Sequence, residues 1–134
     1  MNSYQLSVWE TVYYNDCMIN NSLAYKKAYT FAIQIVNVYK NLKEKQEFVL
    51  SKQLLRSGTS VGANIAEANG AVSDIDFSAK ISISYKEILE TKYWLSLLKD
   101  TGYLSPSEYE TIFGNADEIA RILFSILKTS RINK

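Results

Sequence analysis

A chain of 134 residues with 47% hydrophobic residues, 22% charged residues and a formal net charge of +1 fits one domain of ordinary soluble composition. Such a chain is large enough to bury roughly two-thirds of the surface its unfolded form exposes. One proline and five glycines leave too few turn formers for a sandwich or a barrel, and no apolar run reaches the ~20 residues of a membrane helix.

The first 21 residues, "MNSYQLSVWETVYYNDCMINN", have no clean helical period and read as an N-terminal extension. Met18 is a candidate start, which would make residues 1–17 a translated leader; the sequence leaves both starts open. A first helix is predicted over about 22–42, where Ala28, Phe31, Ile35, Val38 and Leu42 alternate spacings of three and four and form one apolar stripe. "NLKEKQE" then breaks the stripe.

A second helix is predicted over about 47–69, with Leu54, Gly58, Val61, Ile65 and Ala68 on one face. It contains "LLRSGTSVGANIAEANG", a run that a phosphate-binding loop would also favour. A Walker-type loop needs a lysine after its second glycine and a preceding strand, and neither is present. Leu54 and Val61 lie seven apart, as do Gly58 and Ile65, so the helical period continues through the run. Each interior glycine costs about 1 kcal/mol relative to alanine, which close approach by another helix would offset. That approach comes either from the chain's own core or from a second subunit. Gly58, Val61, Gly62, Asn64, Ile65 and Glu67 are the candidate packing or interface residues. Asn64 and Glu67 would need polar partners if buried. Asn69-Gly70 is read as a stop, both residues tolerating the left-handed conformation.

A third helix is predicted over about 74–101, capped by Ser73 with Asp76 three residues on, and ended by Gly102. Phe77, Ile81, Ile88, Leu95 and Leu98 mark its face. A fourth, about 106–130, opens with the plainest start signal in the chain. Ser105 caps, Pro106 takes the first helical position and Glu108 completes a capping box, with Leu104 and Tyr109 placed for a hydrophobic staple. Tyr109, Ile112, Ala116, Ile119, Leu123 and Ile126 continue its stripe, and residues 131–134 form a basic tail. Four helices with short links predict an all-α, antiparallel up-down four-helix bundle.

The chemistry-bearing residues are as informative in what they omit. The chain has no histidine, which removes a catalytic triad, a zinc-protease site and the Glu-x-x-His pairs of di-iron bundles. The lone Cys17 has no histidine to activate it and no partner for an internal disulfide, and no signal-peptide pattern precedes it. It is read as a bland thiol in a reducing cytoplasm. Glu67, Glu87 and Glu90 admit a hard-cation site, against the commoner alternative of pairing with Lys or Arg across a bundle. The expectation is therefore no enzyme activity, no cofactor and no metal.

Charge is unevenly spread. Residues 17–66 carry Lys26, Lys27, Lys40, Lys43, Lys45, Lys52 and Arg56 against Glu44 and Glu47, whereas residues 67–118 carry ten acids against four lysines. Arg121, Lys128, Arg131 and Lys134 close the chain without an acid. A basic first hairpin and a basic tail, repeated around an oligomer, would attract RNA or DNA phosphates. Lys26, Lys27, Lys40, Lys43, Lys45, Lys52 and Arg56 are the candidate contacts, with Arg131 and Lys134 in support. The alternative is a structural or protein–protein adaptor whose lysines only keep it soluble.

Residues 48–104, from "FVLSKQLLRSGTSVGANIAEANG" through "ETKYWLSLLKDTGYL", resemble the four-helix-bundle proteins encoded by intervening sequences in bacterial 23S rRNA genes. "KKAYTFAIQIVNVYKNL", residues 26–42, extends the likeness, which covers about four-fifths of the chain and leaves out residues 1–21. The resemblance implies a ring-like homopentamer with no enzymatic activity. It is also similar to the accessory protein of diversity-generating retroelements, which implies a partner such as a reverse transcriptase together with nucleic acid.

Overall fold

The computed structural model describes the backbone of residues 8–132 and the side chains of residues 23–129. Four helices carry the described residues: α1 (Val8–Glu44), α2 (Leu50–Asn69), α3 (Asp74–Asp100) and α4 (Pro106–Ile132). No strand occurs among the described residues. α2 packs on α1 and α3, and α4 packs on α3 and α1, so the helices form a closed cycle around one core.

The apolar stripes become that core because burying one stripe per helix is what offsets the entropy of ordering the chain. Ala28, Phe31, Ile35, Val38 and Leu42 of α1 are buried, as are Leu54, Gly58, Val61, Ile65 and Ala68 of α2. Ile81, Ile88, Leu95 and Leu98 of α3 meet Ile112, Ala116, Ile119, Leu123 and Ile126 of α4 in the same cluster. Phe77, at the start of α3, is only partly buried.

Helix ends depart from the sequence-based expectation in three places. α1 begins at Val8, not near residue 22, so most of the supposed extension is helical backbone; residues 1–7 lie outside the described residues. α2 begins at Leu50 and not at 47, because the Glu47 carboxylate is used to cap it. Gly70 closes α2 with φ −100°, so the stop at Asn69 does not use the left-handed conformation.

Left-handed closure occurs instead at Gln46 (φ 64°) and at Gly102 (φ 86°). In the first, the Gln46 N–H donates to the Lys43 carbonyl at 2.9 Å and the Glu47 N–H to the Leu42 carbonyl at 2.9 Å. The second repeats this pattern, with Gly102 N–H on the Lys99 carbonyl at 3.0 Å and Tyr103 N–H on the Leu98 carbonyl at 2.8 Å. Both are Schellman closures that satisfy the last carbonyls of a helix. At the start of α3 the Ser73 hydroxyl accepts from the Asp76 N–H at 3.0 Å. Ser105 and Glu108 form the reciprocal box of α4, at 3.1 and 3.2 Å.

Candidate nucleic-acid interface

The glycine-and-serine run lies within α2 as continuous helix. Gly58 faces α1 at close range: a Cβ built there would stand 2.8 Å from Ile35 Cγ2. Gly62 is different, since its Cβ would meet Ala28 only at 3.6 Å, an ordinary contact. The small residues on the α3 side join the two helices through buried hydroxyls. Ser84 Oγ donates to the Val61 carbonyl at 2.8 Å, and the Thr91 hydroxyl lies 2.9 Å from Ser57 Oγ. Each group thereby meets the partner that a buried polar atom needs. Val61 and Ile65 are fully buried, whereas Asn64 turns back to the Ser60 carbonyl of its own helix at 2.8 Å and Glu67 is exposed.

The candidate basic residues do not form one surface. From Lys26 to Lys40 α1 rises roughly 21 Å, which separates the first pair of lysines from the rest. Lys27 pairs with Glu118 of α4 at 2.7 Å. Arg56 is held by Glu90 and by Glu87, the latter at 3.3 Å. The Lys45 ammonium donates to the Tyr103 carbonyl at 2.9 Å, tying the end of α1 to the α3–α4 link. Lys43 sits over the Tyr39 ring, 5.4 Å from its centroid. Lys26, Lys40 and Lys52 are exposed and have no hydrogen bond or ion pair among the described residues. Arg131 is in the last turn of the α4 backbone, and its side chain lies outside the described residues, as does all of Lys134.

The three glutamates considered for a cation are each occupied by a protein cation. Glu87 and Glu90 share Arg56, and Glu67 accepts from Lys80 at 2.9 Å. The Arg56 guanidinium holds the Glu90 carboxyl below the usual carboxylate range against the opposing effect of burial, and the Trp94 indole N–H helps at 3.2 Å. Glu90 in turn raises the pKa of Arg56. Across α3 and α4, Lys92 and Arg121 both bind Asp117, and the hydrogen bond from Lys92 lowers the Asp117 pKa.

Glu47 is the functional surprise of the basic hairpin. Its carboxylate accepts from the backbone N–H groups of Val49, Leu50 and Ser51, at 3.2, 3.0 and 2.6 Å. Burial pushes its pKa up, yet the three amide donors outweigh it and the net shift is downward. The charge of Glu47 is thus turned into the α2 N-terminus and away from the neighbouring lysines. The sequence signal for this cap is an acid three residues ahead of "LSKQ"; a predicted start at 47 hides it by placing that acid inside the helix.

Between α1 and α4 lies an open cleft of about 360 Å³, lined by Lys26, Lys27, Gln34, Asn115 and Glu118 among others. The Asn115 amide donates to Gln34 Oε1 at 3.0 Å across it. No helix among the described residues is long and apolar enough to cross a membrane.

A family model described as 23S rRNA-intervening sequence protein matches residues 20–125. A crystal structure from Bacteroides thetaiotaomicron, of a protein with unknown function from the S23 ribosomal protein family, is 49% identical. It superposes with a TM-score of 0.80, covering 81% of this chain and 98% of that one. No curated protein matches the chain.

Proposed function

The chain belongs to the 23S rRNA-intervening sequence protein family, and from that premise we propose a non-catalytic, oligomeric binding protein that contacts nucleic acid through lysines at the end of α1. The unit is an antiparallel up-down bundle. Its polarity is supported by the rungs between α2 and α3, where Arg56 reaches Glu87 and Glu90, Val61 meets Ser84, and Glu67 meets Lys80, so that rising numbers on one helix oppose falling numbers on the other. The resemblance seen in the sequence implies a homopentamer.

One observation carries the nucleic-acid reading. Lys40 and Lys43 in the last turns of α1 and Lys45 just beyond its end outnumber Glu44, and the nearby Glu47 directs its charge at the amides of α2. The local field therefore stays positive, and repetition around a ring would bring several such ends to one ligand. Lys26 adds a cation with no ion pair among the described residues higher on the same helix. Lys27 and Arg56 leave the contact set, since breaking their ion pairs to bind phosphate would expose bare carboxylates to it. Lack of histidine in the sequence supports the absence of catalysis. The adaptor reading draws on exposed aromatic side chains, Tyr29 and Tyr93 among them.

Gel-shift titration with generic RNA and duplex DNA separates the two. Binding at micromolar protein that weakens steeply with salt is the expected result, since released counterions drive such contacts. No shift at any salt concentration would leave the adaptor. Light scattering should return five times the 15.3 kDa chain mass, and a strict monomer at high concentration would remove the ring.

A further inference from the structure

A homopentameric ring needs mating surfaces, and their assignment rests on the ring reading of the oligomer. A ring generated by one rotation uses a heterologous contact, in which two different patches of each copy meet. Two such patches lie on opposite sides of the helix cycle.

The first lies on α1 and α2. Lys27 and Gln34 turn one flank of α1 to Glu118 and Asn115 of α4. Tyr25, Tyr29, Ala32 and Val36, spaced by four, three and four, run along its other flank beside α2. Tyr25 and Tyr29 are exposed and stack on each other with ring centroids 6.3 Å apart. α2 answers with Leu55, Thr59, Gly62 and Ala66 at the same spacing. Neither stripe carries a charge. Packing within the chain does not require the glycine at 62, because an added Cβ would meet nothing closer than 3.6 Å.

The second patch lies on α3 and α4. Leu89 (42% exposed) and Phe124 (50% exposed) flank Tyr85, whose ring centroid is 5.9 Å from that of Phe124. The cross-helix rungs bring the two patches to one height: Gly62 lies beside Ala28, and Val61 accepts from Ser84. Lower on the molecule, Lys52 near the start of α2 and Glu110 in the first turns of α4 are both exposed. Neither has a partner among the described residues.

We infer that the α1–α2 face of one copy docks on the α3–α4 face of the next, Tyr25 and Tyr29 against Leu89 and Phe124, with Lys52 paired to Glu110 of the next copy. Tyrosine-rich apolar centres with charges at the rim are the usual anatomy of such contacts. The small residues of α2 give the floor on which the bulkier side chains of the neighbour rest.

The test uses the full chain with Cys17→Ser. Tyr29→Cys and Phe124→Cys proteins are prepared separately, allowed to exchange subunits under reduction, and then oxidised. A cross-linked dimer band is expected from the mixture and from neither protein alone. In parallel, Lys52→Glu and Glu110→Lys should each shift dissociation, followed by light scattering, to at least tenfold higher protein concentration, and the double variant should restore it. A parent that is monomeric removes the ring and this contact together. A parent that remains oligomeric overturns only the assigned faces if Tyr29→Cys cross-links with itself, if the mixture fails to cross-link, or if the charge variants leave dissociation unchanged.

Discussion

Gly58 and Gly62 look equivalent in the sequence, and their surroundings are not. A methyl at position 58 would push into Ile35, whose side chain is fully buried and has nowhere to move, at 2.8 Å from Cγ2 and 2.9 Å from Cγ1. Gly58→Ala should therefore lower stability by about 1–3 kcal/mol through overpacking, a cost that exceeds the helix-propensity gain of about 1 kcal/mol. At Gly62 the nearest atoms, those of Ala28, are at 3.6 Å, and Gly62→Ala should hold or raise the stability of the single bundle, compared with Gly58→Ala at protein concentrations where copies are dissociated, by up to about 1 kcal/mol. Urea denaturation of the two variants compares them directly. Equal losses at both sites would contradict the close Ile35 contact.

At the scale of single helices, stability depends on how each orphaned end is satisfied. The three amides at the start of α2 have Glu47 as their common acceptor. Its carboxyl titrates lower in the folded chain than in the unfolded one, so its contribution is complete above the unfolded value of about 4.3 and disappears as pH falls through the depressed folded value. Chemical denaturation across that acid range should show stability falling with pH, and Glu47→Gln should flatten the fall. A variant with the parent's acid slope would show that the charge does not act here. For α4, Ser105→Ala removes the acceptor of the Glu108 N–H and should cost about 1 kcal/mol, read as a lower urea midpoint with an unchanged slope.

Over the whole molecule, charge that is locally basic in the chain is partly consumed by the fold. Arg56 and Lys27 are tied to carboxylates of α3 and α4, while Lys40 and Lys43 stay free of ion pairs among the described residues. Lys40→Glu with Lys43→Glu should weaken nucleic-acid binding at least tenfold and reduce the dependence of affinity on salt, whereas Arg56→Gln should leave binding nearly unchanged. Filter binding at two salt concentrations distinguishes them. Comparable losses from Arg56→Gln would place the phosphate path along α2.

Apolar periodicity alone reveals the four helices of the described residues and most of each buried stripe, with Phe77 and Tyr109 only partly buried, because both depend on a period set by the local backbone. The starts at Ser73 and Ser105 and the turn at Gly102 were legible because each is complete within six residues and carries its signal at the position where a cap or stop is usually sought. The early start of α1 was not, since "SVWETVYYND" shows no single apolar stripe. Nor was the cap from Glu47, whose carboxylate reaches past the residues where a helix start is usually sought. Which charges are paired, and which glycine the packing within the chain demands, follow from the folded bundle and not from any local pattern. Arg56 finds Glu87 and Glu90, and Gly58 finds Ile35, across stretches of chain that no periodicity links, and such encounters are set by how the helices pack against one another.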